Sequence, residues 1–267
     1  MKSNKKPPIK APPLRHPGKS LEREIENVVW EKGFFWFFLP FLILAFALVE
    51  WMEWYWQTPR SPWLWTGFFL LSIPLCLWRA LAIRRQVRNL QLGLQGEQAV
   101  GQYLDEHRPA GYRILHDILE RDGDGQSFNI DHVLVGPGGI FVLETKTRSK
   151  PLVGDAVVTY TGQAVSVDGQ EADERPLKQV RAAAGRIRDL LQESTSRRDL
   201  PIRPVVLYPG WWVEGSSSGR EVWVLNPRAL PKWLANEPVK LSDDDVALFA
   251  SRLKLHVRDG ERRTRSS

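Results

Sequence analysis

Two long stretches without a charged residue constrain this chain more than any other feature of its sequence. The first runs from Gly33 to Val49 and the second from Ser61 to Trp78. Each is close to the length of about 17–25 residues that a helix needs to cross about 30 Å of hydrocarbon. We therefore predict a transmembrane helical hairpin over residues 33–83, with helices at about 33–50 and 62–82.

Tryptophan supports the membrane interpretation over a pair of buried core helices. Eight of the 12 Trp residues lie between Trp30 and Trp78, and they gather near the ends of the two apolar runs. Trp and Tyr prefer the membrane–water interface, where their rings form aromatic belts. Pro40 and Pro74 interrupt the runs, but a membrane helix tolerates proline.

Basic residues predict the orientation of this hairpin. The segment before the first run carries eight Lys and Arg residues, and four Arg residues follow the second run between Arg79 and Arg88, whereas the loop offers only Arg60. The positive-inside rule therefore places both termini in the cytoplasm. The expected location is the cell (inner) membrane, as a multi-pass protein.

Composition bounds the remaining segments. Apolar residues make up 43% of the chain and charged residues 25%, which excludes wholesale disorder, and a single Cys excludes a disulfide framework and any multi-Cys zinc site. The net charge of +6 permits an anionic partner. We predict a disordered basic segment over 1–32, in which Leu21–Lys32 is either an amphipathic surface helix or a charged linker. The other predicted segments are a juxtamembrane linker helix over 84–95, a soluble domain over 96–257 and a polar tail over 258–267.

Hydrophobic periodicity within the soluble domain predicts an α/β (α+β) fold with a mixed β-sheet flanked by helices. Helices are expected at Gly96–Glu106, Leu177–Glu193, Pro227–Ala235 and Ser242–Val257. Strands are expected at Tyr112–Leu119, Phe128–Val135, Ile140–Thr147, Pro204–Tyr208 and Glu221–Leu225, with a second hairpin in Ala156–Val167.

The hairpin around Gly136–Gly139 holds the most informative polar residues. A turn centred on Pro137–Gly138 pairs residues whose numbers add up to 275, so that Asp131 lies opposite Glu144. Lys146 lies two residues further along the same face. Like charges that face each other between apolar strands are destabilising unless a proton or a cation separates them.

This pair of carboxylates suits a hard divalent cation such as Mg²⁺ or Mn²⁺. Lys146 would then orient a water molecule or stabilise developing negative charge, as in metal-assisted hydrolysis of a phosphodiester. The alternative is that Glu144 and Lys146 are ordinary charges at the end of a strand. The apolar neighbours favour the metal interpretation, because charge is costly in such surroundings.

With these residues in view, the sequence resembles the nuclease-related domain (NERD) family between about Gly93 and Leu191. The matching stretches are GLQGEQAV around Glu97, YRILHDI around His116, NIDHVLVGPGGIFVLETK, and PLKQ at residues 176–179. The resemblance implies a restriction-endonuclease-like fold of the PD-(D/E)XK type, preceded here by the two-helix transmembrane hairpin. Ile130 replaces the proline of that motif.

The resemblance also implies roles for individual residues. Asp131 and Glu144 would bind Mg²⁺ together with the backbone carbonyl of Thr145. Lys146 would position the attacking water, and Glu97 would be a further acidic group of the site. Gln179 would touch the substrate or the site.

Other polar residues carry weaker signals. Lys178, Arg181, Arg186 and Arg188 make one helix basic, which is typical of a solvated face and compatible with phosphate contacts by Arg181. His132 alternates to the face opposite Asp131, so a structural role is favoured over a base. Trp211 and Trp212 are expected in the core or at the membrane surface rather than stacked on bases.

Three functions are weighed on this basis. The first is a membrane-anchored, metal-dependent nuclease, acting on DNA in preference to RNA, and an oligomer is compatible with it. The second is a catalytically inactive nuclease fold that binds nucleic acid or serves as a membrane scaffold. The third is a membrane-sited interaction protein whose carboxylates merely stabilise the sheet. The presence of Glu97, Asp131, Glu144 and Lys146 together favours the nuclease.

Overall fold

The architecture is that of a computed structural model in which the chain divides into two compact units, residues 20–94 and the remainder. The residues that the structure describes are 15–57, 61–121, 127–150, 156–195, 197–215 and 217–266. The first 14 residues of the segment predicted to be disordered lie outside them. From Lys19 onward that segment is helical.

The first unit is a helical hairpin. Helix α1 (Lys19–Asn27) passes through one π-helical stretch (Val28–Gly33) into α2 (Phe34–Tyr55), and α3 (Pro62–His107) returns. Near the loop the Trp51 indole Nε1 donates to Thr66 Oγ1 at 3.0 Å, and the rings of Phe46 and Trp65 stack with centroids 5.1 Å apart.

Both arms of the hairpin are long and apolar enough to cross a membrane, by length and composition. Only 6% and 11% of their most apolar stretches are buried in the protein. Water is a poor solvent for so much exposed apolar surface. The two helices are therefore consistent with a transmembrane hairpin and with membrane association.

Helix α3 is longer than the sequence suggests. It joins the second apolar run, the segment 84–95 and the predicted helix Gly96–Glu106 in one element. Glycine lowers helix propensity by only about 1 kcal/mol, so Gly93 and Gly96 do not end it. The last helix also continues beyond Val257 to Ser266, into the predicted polar tail.

The second unit is an α+β domain. Its strands are β1 (Arg113–Arg121), β2 (Ser127–Gly136), β3 (Gly139–Thr145), β4 (Val157–Tyr160), β5 (Val165–Val167), β6 (Ile202–Leu207), β7 (Trp212–Glu214) and β8 (Trp223–Leu225). Its helices, besides the end of α3, are α4 (Arg175–Thr195), a 3₁₀ turn (Pro227–Ala229), α5 (Leu230–Ala235) and α6 (Asp243–Ser266).

The strands form two sheets. The larger has the order β1-β2-β3-β6-β8 and is mixed, with antiparallel pairing from β1 to β3 and parallel pairing from β3 to β8. This confirms the predicted mixed sheet. The smaller sheet has the order β5-β4-β7, and the sequence did not indicate β7.

The register of the β2–β3 hairpin is as expected. Val135 pairs with Ile140 and Val133 pairs with Val142, across a turn at Pro137–Gly138. The last pair of this ladder is His132–Leu143. Asp131 and Glu144 therefore come one step beyond the ladder, where the two strands end their pairing.

Helices cover both faces of the larger sheet. Side chains of α4 and α6, such as Ile187 and Phe249, pack on one face. Side chains from the end of α3 and from α5, such as Val100 and Leu234, pack on the other. Both Asp131 and Glu144 are buried beside these cores.

Candidate active site

Asp131 and Glu144 are held at the end of the hairpin by the chain itself. Thr145 donates its backbone N–H to Asp131 Oδ2 at 2.7 Å. This bond closes the hairpin where the regular ladder has stopped. Both carboxylates are buried, so neither has bulk water to stabilise its charge.

A kink in β1 brings another carboxylate to the cluster. The β1–β2 ladder contains the pairs His116–His132 and Ile118–Ile130 but omits Asp117 and Asp131 between them. Asp117 has φ +52°, a left-handed conformation that Asp adopts more readily than most residues. Asp117 is fully buried, and its charge raises the pKa of Glu97.

Glu97 is a buried residue of α3. Its Oε1 accepts the backbone N–H of Gly18 at 2.9 Å. Burial raises the pKa of Glu97 to about 7; the Gly18 bond and the charge of Arg15 oppose the shift, and the charges of Asp117 and Glu144 add to it. Four elements, α3, β1, β2 and β3, thus bring carboxylates within electrostatic reach of one another.

Lys146 connects this cluster to α4. Its Nζ lies 2.7 Å from Glu144 Oε1 and 2.7 Å from Gln179 Oε1. Its side chain is 25% exposed, against 6% for Glu144. The ammonium therefore lies at the boundary between the buried carboxylates and solvent.

The buried carboxylates, when ionised, carry more charge than the neighbouring cations. Burial raises the pKa of Asp131 well above its usual range, and the charges of Glu144 and Glu97 raise it further. Burial also raises the pKa of Glu144, against the opposing effect of Lys146. The four carboxylates, including Asp117, outnumber the cations Arg15 and Lys146 by two, which a divalent cation or protons would balance.

The donor chemistry of this cluster fits a hard divalent cation, because carboxylate oxygens are its preferred ligands. The charges of these carboxylates, Asp131, Glu144 and Glu97, repel one another. A bound divalent cation would reduce this repulsion. Within the described part of the chain, however, no three His, Cys, Asp or Glu side chains are arranged to hold a metal ion. Each of the three carboxylates is turned toward an N–H group or the Lys146 ammonium.

Comparison with known proteins relates the segment that carries this site to a protein family. Residues 92–209 match the family model of the nuclease-related domain. This segment is similar to the nuclease-related domain. The match includes Glu97, Asp131, Glu144, Lys146 and Gln179.

A curated relative matches a smaller part of the chain. An uncharacterized protein of Bacillus anthracis is 35% identical over 54 residues, which is 20% of this chain and 26% of that protein. The chain thus spans about a quarter of the length of this relative, and the relative's name assigns no activity.

The α+β domain receives an unexpected contribution from the segment before α1. The Arg15 guanidinium forms a buried ion pair with Asp117. Pro17 packs so closely on Gly101 of α3 that a Cβ at Gly101 would lie 2.3 Å from its ring. The sequence signalled Arg15 only as one of several basic residues flanking the hairpin.

The buried His132 and the half-buried His116 form a second polar group in the domain. Their Nδ1 atoms lie 2.8 Å apart, so one ring donates and the other accepts. Burial lowers the pKa of His132 well below its usual range, and the charge of His116 lowers it further. The His132 ring therefore acts as a neutral hydrogen-bonding group of the sheet. His116 also faces Asp105, whose Oδ2 lies 3.4 Å from its Nε2.

The remaining residues singled out in the sequence lie elsewhere. Arg181 Nε lies 3.1 Å from Glu221 Oε2, so its cation is engaged by that carboxylate. Trp211 is buried in the core, and its Nε1 donates to the Arg148 carbonyl at 3.3 Å. Trp212 is exposed on β7.

We expect Glu97 to make the stability of the domain fall as pH rises. Its pKa is about 7 in the folded protein against an ordinary value of 4.5, so the folded state holds a proton that the unfolded state has lost. The stabilisation is fully present below pH 4.5 and lost through pH 7. The expected decrease in the free energy of unfolding is up to about 3 kcal/mol.

The measurement is the melting temperature in EDTA between pH 5 and pH 8, for the wild type and for Glu97→Gln. The substitution should flatten the pH dependence, because the glutamine mimics the protonated carboxyl at every pH. A wild-type melting temperature that rises over this range would contradict the assignment.

Proposed function

We propose that this chain is a membrane-anchored nuclease that hydrolyses phosphodiester bonds of nucleic acid, with DNA as the favoured substrate. The observation that carries the proposal is the buried pair Asp131 and Glu144 with Lys146 at the solvent boundary. If this pair had only a structural role, apolar residues in its place would make the domain more stable.

The proposed roles follow the donor chemistry of each residue. Asp131, Glu144 and the backbone carbonyl of Thr145 would hold Mg²⁺ or Mn²⁺, which when bound supplies positive charge to the phosphoryl oxygens. Lys146 donates a hydrogen bond to the attacking water and orients its oxygen toward phosphorus. The water gives up a proton to solvent as its oxygen forms a P–O bond. The P–O bond to the leaving strand breaks in the same step, and the leaving oxygen takes up a proton from solvent.

Two residues support Lys146 and the carboxylates. Gln179 accepts a hydrogen bond from Lys146 Nζ, which fixes the direction of the ammonium. Glu97 contributes a carboxylate whose pKa of about 7 allows it to gain or lose a proton near neutral pH. Its proposed role is to adjust the charge of the site when the cation binds. Arg181 is assigned a secondary substrate contact, available when Glu221 releases it.

The proposed site faces the cytoplasm of a membrane-inserted protein. Support comes from the two long apolar helices and from the basic residues that flank them on the side of the termini. The protein would be multi-pass in the cell (inner) membrane with both termini cytoplasmic, so that the domain meets cytoplasmic nucleic acid.

A specific contact favours a second candidate, a nuclease fold that binds nucleic acid or acts as a scaffold without cutting. Arg15 and the Gly18 N–H engage Asp117 and Glu97, so the chain itself partly satisfies the acidic cluster. Under this alternative the cluster would need no metal.

Cleavage by the purified full chain in detergent separates these candidates. Labelled single- and double-stranded DNA and RNA are incubated with Mg²⁺, with Mn²⁺ and with EDTA, and Glu144→Ala is the inactive control. Metal-dependent cutting that is absent in Glu144→Ala supports the nuclease and identifies its substrate. Binding without cutting in any of these metals would favour the second candidate.

A further inference from the structure

We propose that the segment after β3 is the path of the substrate strand, and that Arg148 binds a phosphate group next to the one that is cut. This inference rests on the proposed nuclease function and extends it to the contacts that hold the strand. Lys146, Arg148 and Lys150 are the cations of this path, which we call the basic track.

The side chains of this segment alternate between two directions. Thr147 faces α3, where its Oγ1 lies 1.7 Å from the position that a Cβ on Gly96 would occupy. Lys146, the residue before Thr147, contacts Glu144 and Gln179. Arg148, the residue after Thr147, lines a polar cavity. Cations two residues apart on an extended segment are spaced by about 6.6 Å, which suits successive phosphates of an extended strand.

The backbone of the basic track is fixed to the domain. Lys146 donates its N–H to Leu207 O at 2.8 Å, which continues the β3–β6 pairing. The buried Trp211 binds the Arg148 carbonyl. Further along, Lys150 lies against Gly210, where a Cβ would be 3.2 Å from the Lys150 Nζ. The backbone that carries these cations is therefore already positioned, which lowers the entropic cost of binding.

The cavity beside Arg148 has the size and the polarity for a nucleotide unit. It has a volume of about 520 Å³, within the usual range for small-ligand sites. Gln170, Asp173, Arg175 and Tyr208 contribute to its lining. Burial raises the pKa of Tyr208 to about 12. The charge of Arg148 opposes this shift, and the charge of Glu144 adds to it. Tyr208 is thus a hydroxyl donor between the cavity and the carboxylate cluster.

The charges in the cavity single out Arg148 as the phosphate ligand. Arg175 donates from Nε and Nη2 to the two oxygens of Asp173, at 2.9 and 3.0 Å, so its charge is offset. Arg148 lowers the pKa of Asp173 through its charge, without a hydrogen bond to that carboxylate. Among the described residues no carboxylate forms an ion pair with Arg148. Glu171 lines the cavity as an exposed carboxylate.

The test measures binding without catalysis. The full chain in detergent is titrated into a fluorescently labelled single-stranded oligonucleotide in EDTA, and anisotropy gives Kd at several salt concentrations. Arg148→Gln should raise Kd about tenfold and reduce the slope of log Kd against log salt by about one. The matched control is Arg252→Gln, an exposed arginine on α6, which should leave both values unchanged. Melting temperatures check that both variants are folded.

The outcomes separate this proposal from the nuclease proposal. Equal Kd values for Arg148→Gln and Arg252→Gln, or no binding by the wild type, would overturn the basic track. Binding that depends on Arg148 in a chain that cuts nothing would support the basic track while the nuclease proposal fails. In an active protein, Arg148→Gln should raise KM more than it lowers kcat.

Competition identifies the source of the phosphate. Displacement by unlabelled oligonucleotide but not by inorganic phosphate or a mononucleotide at the same phosphate concentration supports a strand path. Equal displacement by all three would assign the cavity to a free phosphate compound and overturn the strand path.

Discussion

Asp131→Asn is expected to reduce cleavage by about 10³-fold or more while the domain stays folded. The loss of about 4 kcal/mol in transition-state stabilisation corresponds to this factor, because a ligand removed from a catalytic metal removes several kcal/mol. The fold should survive, because burial already favours the protonated, neutral form of Asp131. Asparagine has nearly the same shape as that form, and its Oδ1 can accept the Thr145 N–H.

The melting temperature in EDTA distinguishes a catalytic from a structural role for Asp131. Removing one member of the repelling pair should leave the melting temperature unchanged or raise it. Asp199→Asn, an exposed carboxylate on the loop before β6, is the control and should alter neither cleavage nor melting. A folded Asp131→Asn protein that cuts as fast as the wild type would show that the carboxylate pair is structural.

Arg15→Met is expected to lower the free energy of unfolding of the domain by about 3 kcal/mol. Arg15 and Asp117 form a buried ion pair, and removal of one partner leaves the other charge in an apolar environment. The two residues are 102 positions apart in the chain, so this cost also measures how firmly the segment before α1 is attached to the domain.

Hydrogen exchange of amides in β2 and β3 reports this free energy without interference from the membrane helices. The double variant Arg15→Met/Asp117→Asn should recover most of the loss, because neither side chain then carries an unpaired charge. Arg252→Met is the matched control. A loss below about 1 kcal/mol in Arg15→Met would indicate an ion pair of the exposed kind.

Those parts of the structure that depend on local patterns could be predicted from the sequence. The charge-free runs identify the two apolar helices, since few other folds use such segments. The turn at Pro137–Gly138 sets the register of β2 and β3, because a short loop allows few pairings. The apolar stripe of α4, from Val180 to Leu191, follows a period of 3.6 residues.

The features that the sequence did not reveal depend on contacts between distant residues. Strand β7 has three residues, which is too short to show an alternating pattern. The kink at Asp117 depends on its pairing partner in β2. The pair formed by Arg15 and Asp117 has no local signature, since a basic segment before a membrane helix is typical of topology alone.

The candidate site also combines residues whose proximity the local sequence predicts with residues whose positions it does not predict. Asp131, Glu144 and Lys146 are close in sequence and lie on one hairpin, so their proximity follows from the register. Gln179 and Glu97 come from helices, and their positions were expected only through the family resemblance. The structure brings Gln179 to Lys146 and Glu97 within electrostatic reach of Glu144.

Binding of Mn²⁺ to the full chain in detergent tests most directly whether the carboxylate cluster is a metal site. Electron paramagnetic resonance at room temperature follows the free ion, whose signal decreases as the protein binds it. We predict saturable binding by the wild type that tightens from pH 6 to pH 8, as Glu97 loses its proton, and that is abolished in Asp131→Asn/Glu144→Gln. No loss of free-ion signal with the wild type, or the same loss with the double variant, would contradict a metal-dependent nuclease.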